Sequence, residues 1–345
     1  MQRCVYLFLW LAAIAAGCSD NKATNSGTPA AGRSGPTSAG ASDRPTVAFV
    51  TNNPFEFWAI ARKGTEKAAK DFNVNVEFRM PAQGSGTEQR QIVEDLLVQG
   101  VKGIAISPID PANQAEFFDE VAGQVPLIAQ DSDLPQGSKR LCFLGTNNFE
   151  AGKAAGRLVK EALPKGGRVA IFVGSMDAQN AIDRRQGVLD ELAGKANAKA
   201  PKLGDYTLID TYTDDAKQEI CKNKAEDALV QHGDDPETLC FVGLWAYNPP
   251  ALLAAVKDRG LDGKVSVVGF DENEETLQGI KDGQIIGTIV QQPFEFGYQA
   301  VKMLTSLAQG DKSVVPDDGL LFIDYKVIRS DNVEAFHDEL RRLKE

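Results

Sequence analysis

From residue 45 onward, short apolar runs alternate with amphipathic stretches. The runs are rich in β-branched residues and span 46–51, 74–78, 103–107, 126–130, 168–173, 207–211, 239–244, 265–270 and 286–290. Between them, 57–72, 89–99 and 149–162 carry apolar residues at helical spacing, and a last amphipathic helix is predicted over 333–343. Continuously apolar strands alternating with helices predict an α/β protein whose parallel sheets are covered on both faces. The strands are too many for one flavodoxin-sized sheet, which leaves paired open sheets or a closed eightfold barrel. Polar groups recur where the strands end: Asn53, Ser107, Asp131, Thr146 with Asn147, Asp271 and Gln291. Open α/β sheets bind ligands beyond the carboxyl ends of their strands. A barrel would share that property, so the strand ends alone leave the architecture open.

The first residues follow a different pattern. Arg3 precedes an apolar run at 5–16, VYLFLWLAAIAA, which suits a signal peptide and is short for a spanning helix, needing roughly 20 residues. The run closes in Ala-Ala-Gly-Cys, residues 15–18, which resembles the lipobox of bacterial lipoproteins and implies acylation of Cys18; Ala15 stands where that motif usually carries Leu. Residues 19–44 are rich in Ser, Gly, Ala, Thr and Pro, a composition that cannot bury enough apolar surface to fold and that predicts a flexible tether. An exported, membrane-tethered domain is therefore expected to follow.

A length of 345 residues with 43% hydrophobic content accommodates two domains. The formal net charge of -11 argues against a nucleic-acid partner, which needs a basic footprint. Beyond Cys4 and Cys18, the cysteines are Cys142, Cys221 and Cys240, without metal-ligand spacing. Each lies in or beside an apolar stretch and reads as a buried thiol, although export would permit a Cys221–Cys240 disulfide. Catalytic signatures do not occur: there is no G-x-S-x-G, P-loop or H-E-x-x-H, and the two histidines, His232 and His337, fall in helices expected at the surface. No calcium loop of the D-x-D-x-D-G type is present either. A non-enzyme needing neither cofactor nor metal is expected.

Six segments together carry a resemblance: TNNPFEFWAIARKGTEKAAKDFNVNV, GVKGIAISPIDPAN, VPLIAQDSD, GTNNFEAGKAAG, VVGFDENEE and DGQIIGTIVQQPFEFG. In order and spacing they resemble the ribose-binding-type (type I) periplasmic proteins of ABC transporters. The resemblance implies two doubly wound parallel-sheet lobes joined by a three-segment hinge, crossed near 146–147, 291–293 and 323–325. Lobe one is then expected over 45–146 plus 292–323, and lobe two over 147–291 plus 324–345, after a leader (1–17) and tether (18–44). It further implies an extracytoplasmic, monomeric receptor that closes on a small sugar or polyol and delivers it to a permease with its cytoplasmic ATPase. A sensor kinase or chemoreceptor as client fits the same pattern. A sugar-responsive repressor shares the two-lobed core but would need a helix-turn-helix where this chain has its leader.

Carried over residue by residue, the family pattern places Asn53, Phe57, Trp58, Ser107, Asp131 and Ser132 in the first lobe's binding wall. Asn180, Arg184, Trp245, Tyr247, Asn248, Asp271 and Gln291 are placed in the second. The family's Arg after Asp131 is replaced by Ser132, followed by Asp133, so the run 131–133 is expected to offer extra acceptors. The turn GLWAYNPP adds aromatic bulk where the family usually has an Asn-Asp pair. Aromatic rings suit a sugar's C–H faces, and planar Asp, Asn, Gln and Arg groups suit its hydroxyls. Bland roles compete: Phe57 as core, Arg184 as a structural hydrogen-bonding centre, Asp271 as the cap of the helix after it, and Asp133 and Asp177 as solvated surface.

Overall fold

The computed structural model describes residues 44–54 and 57–344; the expected leader, Cys18 and nearly all of the tether lie outside the described residues. The first sheet contains β1 (Thr46–Val50), β2 (Asn75–Arg79), β3 (Ile104–Ile106), β4 (Leu127–Gln130), β5 (Cys142–Gly145) and β12 (Leu320–Phe322). Its order is β12-β5-β4-β3-β1-β2, with every pairing parallel. The second contains β6 (Gly167–Val173), β7 (Lys202–Leu203), β8 (Tyr206–Thr213), β9 (Leu239–Gly243), β10 (Ser266–Phe270), β11 (Gly287–Val290) and β13 (Lys326–Ile328). Its order is β13-β11-β10-β9-β6-β8-β7, parallel except at the two edge strands. Both sheets are open, so the barrel alternative does not hold, and each has a doubly wound 2-1-3-4-5 core.

The strands form because their residues are apolar on both faces and helices cover both faces. In the first lobe α1 (Phe57–Asp71) and α9 (Pro293–Ala308) pack on one side, α2 (Gly86–Val98) and α3 (Pro111–Ala122) on the other. In the second, α4 (Asn148–Ala162) and α5 (Gln179–Ala193) face α6 (Gln218–His232), α7 (Asn248–Asp258), α8 (Glu274–Lys281) and α10 (Val333–Lys344) across the sheet. The chain passes between sheets after β5, after β11 and after β12. Two of these crossings are tied directly, Gln292 Nε2 donating to the Asp324 carbonyl at 2.7 Å.

Close helix packing fixes part of the site. A Cβ at Gly187 on α5 would lie 2.2 Å from the Phe149 carbonyl oxygen, and one at Gly152 on α4 would lie 2.1 Å from that of Arg184. Only glycine lets these backbones meet, and the contact sets the depth at which α5 holds Arg184.

The buried-thiol reading holds: Cys221 and Cys240 are free, with Cys221 packed on the α6–α7 side of the second sheet and Cys240 on the α4–α5 side, so the sheet separates them and the permitted disulfide does not form. Two expectations are corrected. His337 is buried, its Nδ1 2.7 Å from Lys281 Nζ and its Nε2 3.0 Å from Glu274 Oε2, which docks α10 on α8. Helix α2 starts before residue 89, because Ser85 Oγ accepts the Glu88 backbone N–H at 3.2 Å and caps the earlier turn. Among the described residues no helix is long and apolar enough to cross a membrane.

Candidate functional site

The carboxyl ends of the two sheets border one cavity of about 370 Å3, within the roughly 300–1,000 Å3 of small-molecule sites. Its lining includes Asp131, just after β4, and Asp271, just after β10. Their backbones match: φ is 61° at Asp131 and 62° at Asp271. The Asp131 N–H donates to the Leu144 carbonyl at 3.1 Å, and the Asp271 N–H to that of Ile289 at 2.7 Å. A left-handed non-glycine residue costs about 1–3 kcal/mol and persists where its surroundings over-determine it. Equivalent strain in both lobes aims two carboxylates into one space.

Each carboxylate is half satisfied by protein. Asp131 Oδ2 accepts Ser107 Oγ at 3.0 Å and Asn52 Nδ2 at 3.4 Å, which leaves Oδ1 for the cavity. Asp271 Oδ1 accepts Gln291 Nε2 at 3.0 Å and the Gln291 N–H at 3.5 Å, which leaves Oδ2. Burial pushes the Asp131 carboxyl up to about 6, against the pull of Arg184 and the Ser107 hydrogen bond. Burial also raises Asp271, again opposed by Arg184. The Arg184 guanidinium donates from Nε to Asn148 Oδ1 at 2.9 Å and from Nη1 to the Leu244 carbonyl at 2.8 Å, and stacks 3.9 Å from the centre of the Phe270 ring. Arg184 is a structural hydrogen-bonding centre of the second lobe, and it also lines the cavity.

Buried polar atoms on this wall without a hydrogen-bond partner include Asn180 Oδ1, Arg184 Nη2, Trp245 Nε1 and Gln291 Oε1. Buried polar groups are nearly always paired, so donors and acceptors left over around one cavity describe a site built for a polar ligand. Aromatic surface surrounds them. Phe57 and Trp58 stand edge to face with centroids 4.9 Å apart, and Trp245 and Tyr247 do likewise at 6.3 Å. Trp58 is anchored through Nε1 to Asn52 Oδ1 at 3.2 Å, and Asn53 Nδ2 donates to the same oxygen at 2.6 Å.

Of the residues read from the sequence, Asn53, Phe57, Trp58, Asp131, Asn180, Arg184, Trp245, Tyr247, Asp271 and Gln291 line this cavity. Ser107, Ser132 and Asn248 do not: Ser107 braces Asp131 from behind, Ser132 is buried beside it, and Asn248 ties the aromatic turn. The acidic run 131–133 does not act as one acceptor group, because Asp133 turns away into a bidentate pair with Arg140. Asp271 is not a helix cap; α8 is capped by Asn273, whose Oδ1 accepts the Glu275 N–H at 2.9 Å. Asn52 was missed, although it sits beside Asn53 in the same T-N-N-P turn. Ala216, Gln218, Glu272, Asn273 and Lys344 also border the cavity and carried no sequence signal.

The sequence matches the periplasmic binding protein domain over residues 47–312. The chain belongs to the periplasmic binding protein family. This periplasmic binding protein is similar to the ribose import binding protein RbsB of Bacillus subtilis, 28% identical over 76% of this chain and 80% of that one. It is also 28% identical to the D-allose-binding periplasmic protein of Escherichia coli, over 81% of this chain and 88% of the other. Among solved structures, an ABC transporter solute binding protein from Burkholderia graminis in complex with D-arabinose superposes with a TM-score of 0.75. It is 29% identical and covers 84% of this chain and 96% of its own. These likenesses make it a ribose-binding-type, type I periplasmic binding protein, and its relatives are binding proteins.

Proposed function

We propose that this protein is the extracytoplasmic receptor of an ABC transporter, lipid-anchored at Cys18, which binds one neutral monosaccharide or polyol between its lobes. The observation that carries the reading is the pair Asp131 and Asp271, held in matching strained backbones on opposite walls of one cavity. A ligand whose hydroxyls donate to both carboxylates touches both lobes, so it favours the closed arrangement by its differential affinity for that state. The sugar-binding relatives support the ligand class, and the aromatic pairs suit the C–H faces of a ring. Lobe one is taken as 45–146 plus 292–323 and lobe two as 147–291 plus 324–345, with the permease and its ATPase as partners of the closed form. Catalysis is not part of the reading: the bound sugar leaves chemically unchanged.

A thermal-shift panel of neutral sugars and polyols tests this. A true ligand at 100 times its Kd stabilises the fold by about 2.7 kcal/mol. The expected outcome is a shift with a small set of related sugars; a flat response across the whole panel would contradict it.

A further inference from the structure

The second lobe's aromatic wall is tied together by a residue outside the cavity. Asp214, directly after β8, is only 2% exposed, and the cavity lining does not include it. Its Oδ1 accepts the Tyr247 hydroxyl, and its Oδ2 accepts Asn248 Nδ2 at 2.9 Å. Asn248 in turn uses Oδ1 to accept the Trp245 backbone N–H at 2.9 Å, and its own N–H donates to the Trp245 carbonyl at 2.9 Å. The circuit closes through Gly174, after β6. The Gly174 carbonyl accepts the N–H groups of Asp214 at 3.3 Å and Asp215 at 2.9 Å, while the Trp245 indole packs against Gly174, where a Cβ would fall 1.9 Å from Cζ3. The chain then makes two consecutive left-handed residues, Asp215 (φ 54°) and Ala216 (φ 57°), before Gln218 opens α6, and Ala216 and Gln218 both border the cavity.

We propose that Asp214 is a positioning residue for ligand selection, fixing Trp245 and Tyr247 as one rigid wall through Asn248; this rests on the cavity being the sugar site. The chemistry follows from the donors. Tyr247 spends its hydroxyl proton on Asp214, so it keeps no donor for the ligand and contributes its ring to the cavity lining. Trp245 keeps an unpartnered Nε1 donor whose direction is set by the turn that Asp214 and Asn248 hold. A wall made of one locked ring and one aimed donor distinguishes sugars that differ in the hydroxyl facing it, as a site built to pair a hydroxyl rejects analogues that lack it. Burial raises the Asp214 carboxyl while the Tyr247, Cys221 and Asn248 hydrogen bonds pull it down, in keeping with a carboxylate used as an internal acceptor.

The test uses 15N-labelled protein and follows the indole N–H signals of Trp58 and Trp245, assigned by Trp245→Phe, together with affinities for the best sugar and its epimers. Asp214→Ala is expected to shift and broaden the Trp245 signal with Trp58 unmoved, to weaken the best sugar about tenfold, and to compress its preference over the epimers. Asn248→Asp, which sets two carboxylates against each other, is expected to do the same. The exchange Asp214→Asn with Asn248→Asp restores both donors and acceptors: the amide at position 214 donates to the carboxylate at 248 and still accepts from Tyr247. It is expected to recover the Trp245 signal and the selectivity.

An Asp214→Ala protein with an unmoved Trp245 signal and unchanged preference among epimers would overturn the proposal and leave sugar binding standing. If that variant fails to fold, with Trp58 lost as well, the exchanged pair decides: failure to recover the Trp245 signal overturns it. Wild-type protein that binds no sugar would instead overturn the functional reading, while the indole signals of the free protein still report on the clamp.

Discussion

Replacing Asp131 by Asn should stabilise the fold and weaken ligand binding together. The Asp131 carboxyl rises from an ordinary 3.8 to about 6 in the folded protein, with burial as the largest cause. Below pH 3.8 it is protonated in both states and makes no difference. As pH rises from there to 6, the unfolded chain ionises first and the folded state loses stability, fully so above 6. The rise from 3.8 to about 6 makes this about 3 kcal/mol at neutral pH. Asparagine removes the charge, tolerates the left-handed backbone, and keeps an acceptor for Ser107. For a domain of about 300 residues, that gain raises Tm by about 5 °C at pH 7.5 and vanishes near pH 4. The same change removes the charged acceptor for ligand hydroxyls, which weakens binding about 10- to 100-fold. Wild-type affinity should fall as pH drops through about 6, where Asp131 takes up its proton, and the variant should be insensitive there. Calorimetric scans and titrations at pH 4, 6 and 7.5 check all of this. A variant that is less stable at pH 7.5 yet binds like wild type would refute the reasoning.

Asp271→Ala is expected to weaken binding by about 2–3 kcal/mol and to remain extended in small-angle scattering at a ligand concentration that compacts wild type; wild-type compaction would remove Asp271 from the site. Gly187→Ala should lower stability by about 1–3 kcal/mol, since its Cβ meets the Phe149 carbonyl at 2.2 Å, and should weaken ligand by displacing Arg184; an unchanged Tm would contradict the packing argument. Cys18→Ala should lose acylation and membrane partitioning without changing sugar affinity, and wild-type protein that is wholly soluble with Cys18 unmodified would contradict the anchor.

The strands that carry site residues were legible because each sits inside an apolar run bounded by polar turns, even where the strand itself has four residues, as in β4 and β11. β5, β7, β12 and β13 were not read from the sequence; the last three have only two or three residues, partly exposed, which gives little apolar pattern. Asp131, Asp271 and Gln291 could be read from their positions at strand ends. Which of Asn52 and Asn53 would brace Trp58 and Asp131 could not, since both follow the same strand and only the turn decides. The aromatic turn at 245–248 was visible as bulk, but its partner Asp214 lies more than thirty residues earlier, just past β8, which β6 separates from β9. Side-chain direction was the commonest limit: Asp133 differs from Asp131 by two positions and by a partner, Arg140, that composition does not announce.

Titration calorimetry of the wild-type protein with neutral monosaccharides and polyols at pH 7.5 tests the central claim most directly. Saturable binding of one equivalent of a neutral sugar, recovered unchanged after denaturation, is the result expected of a receptor that closes on its ligand between Asp131 and Asp271. No binding by any member of the series, or sugar consumed beyond one equivalent, would contradict it.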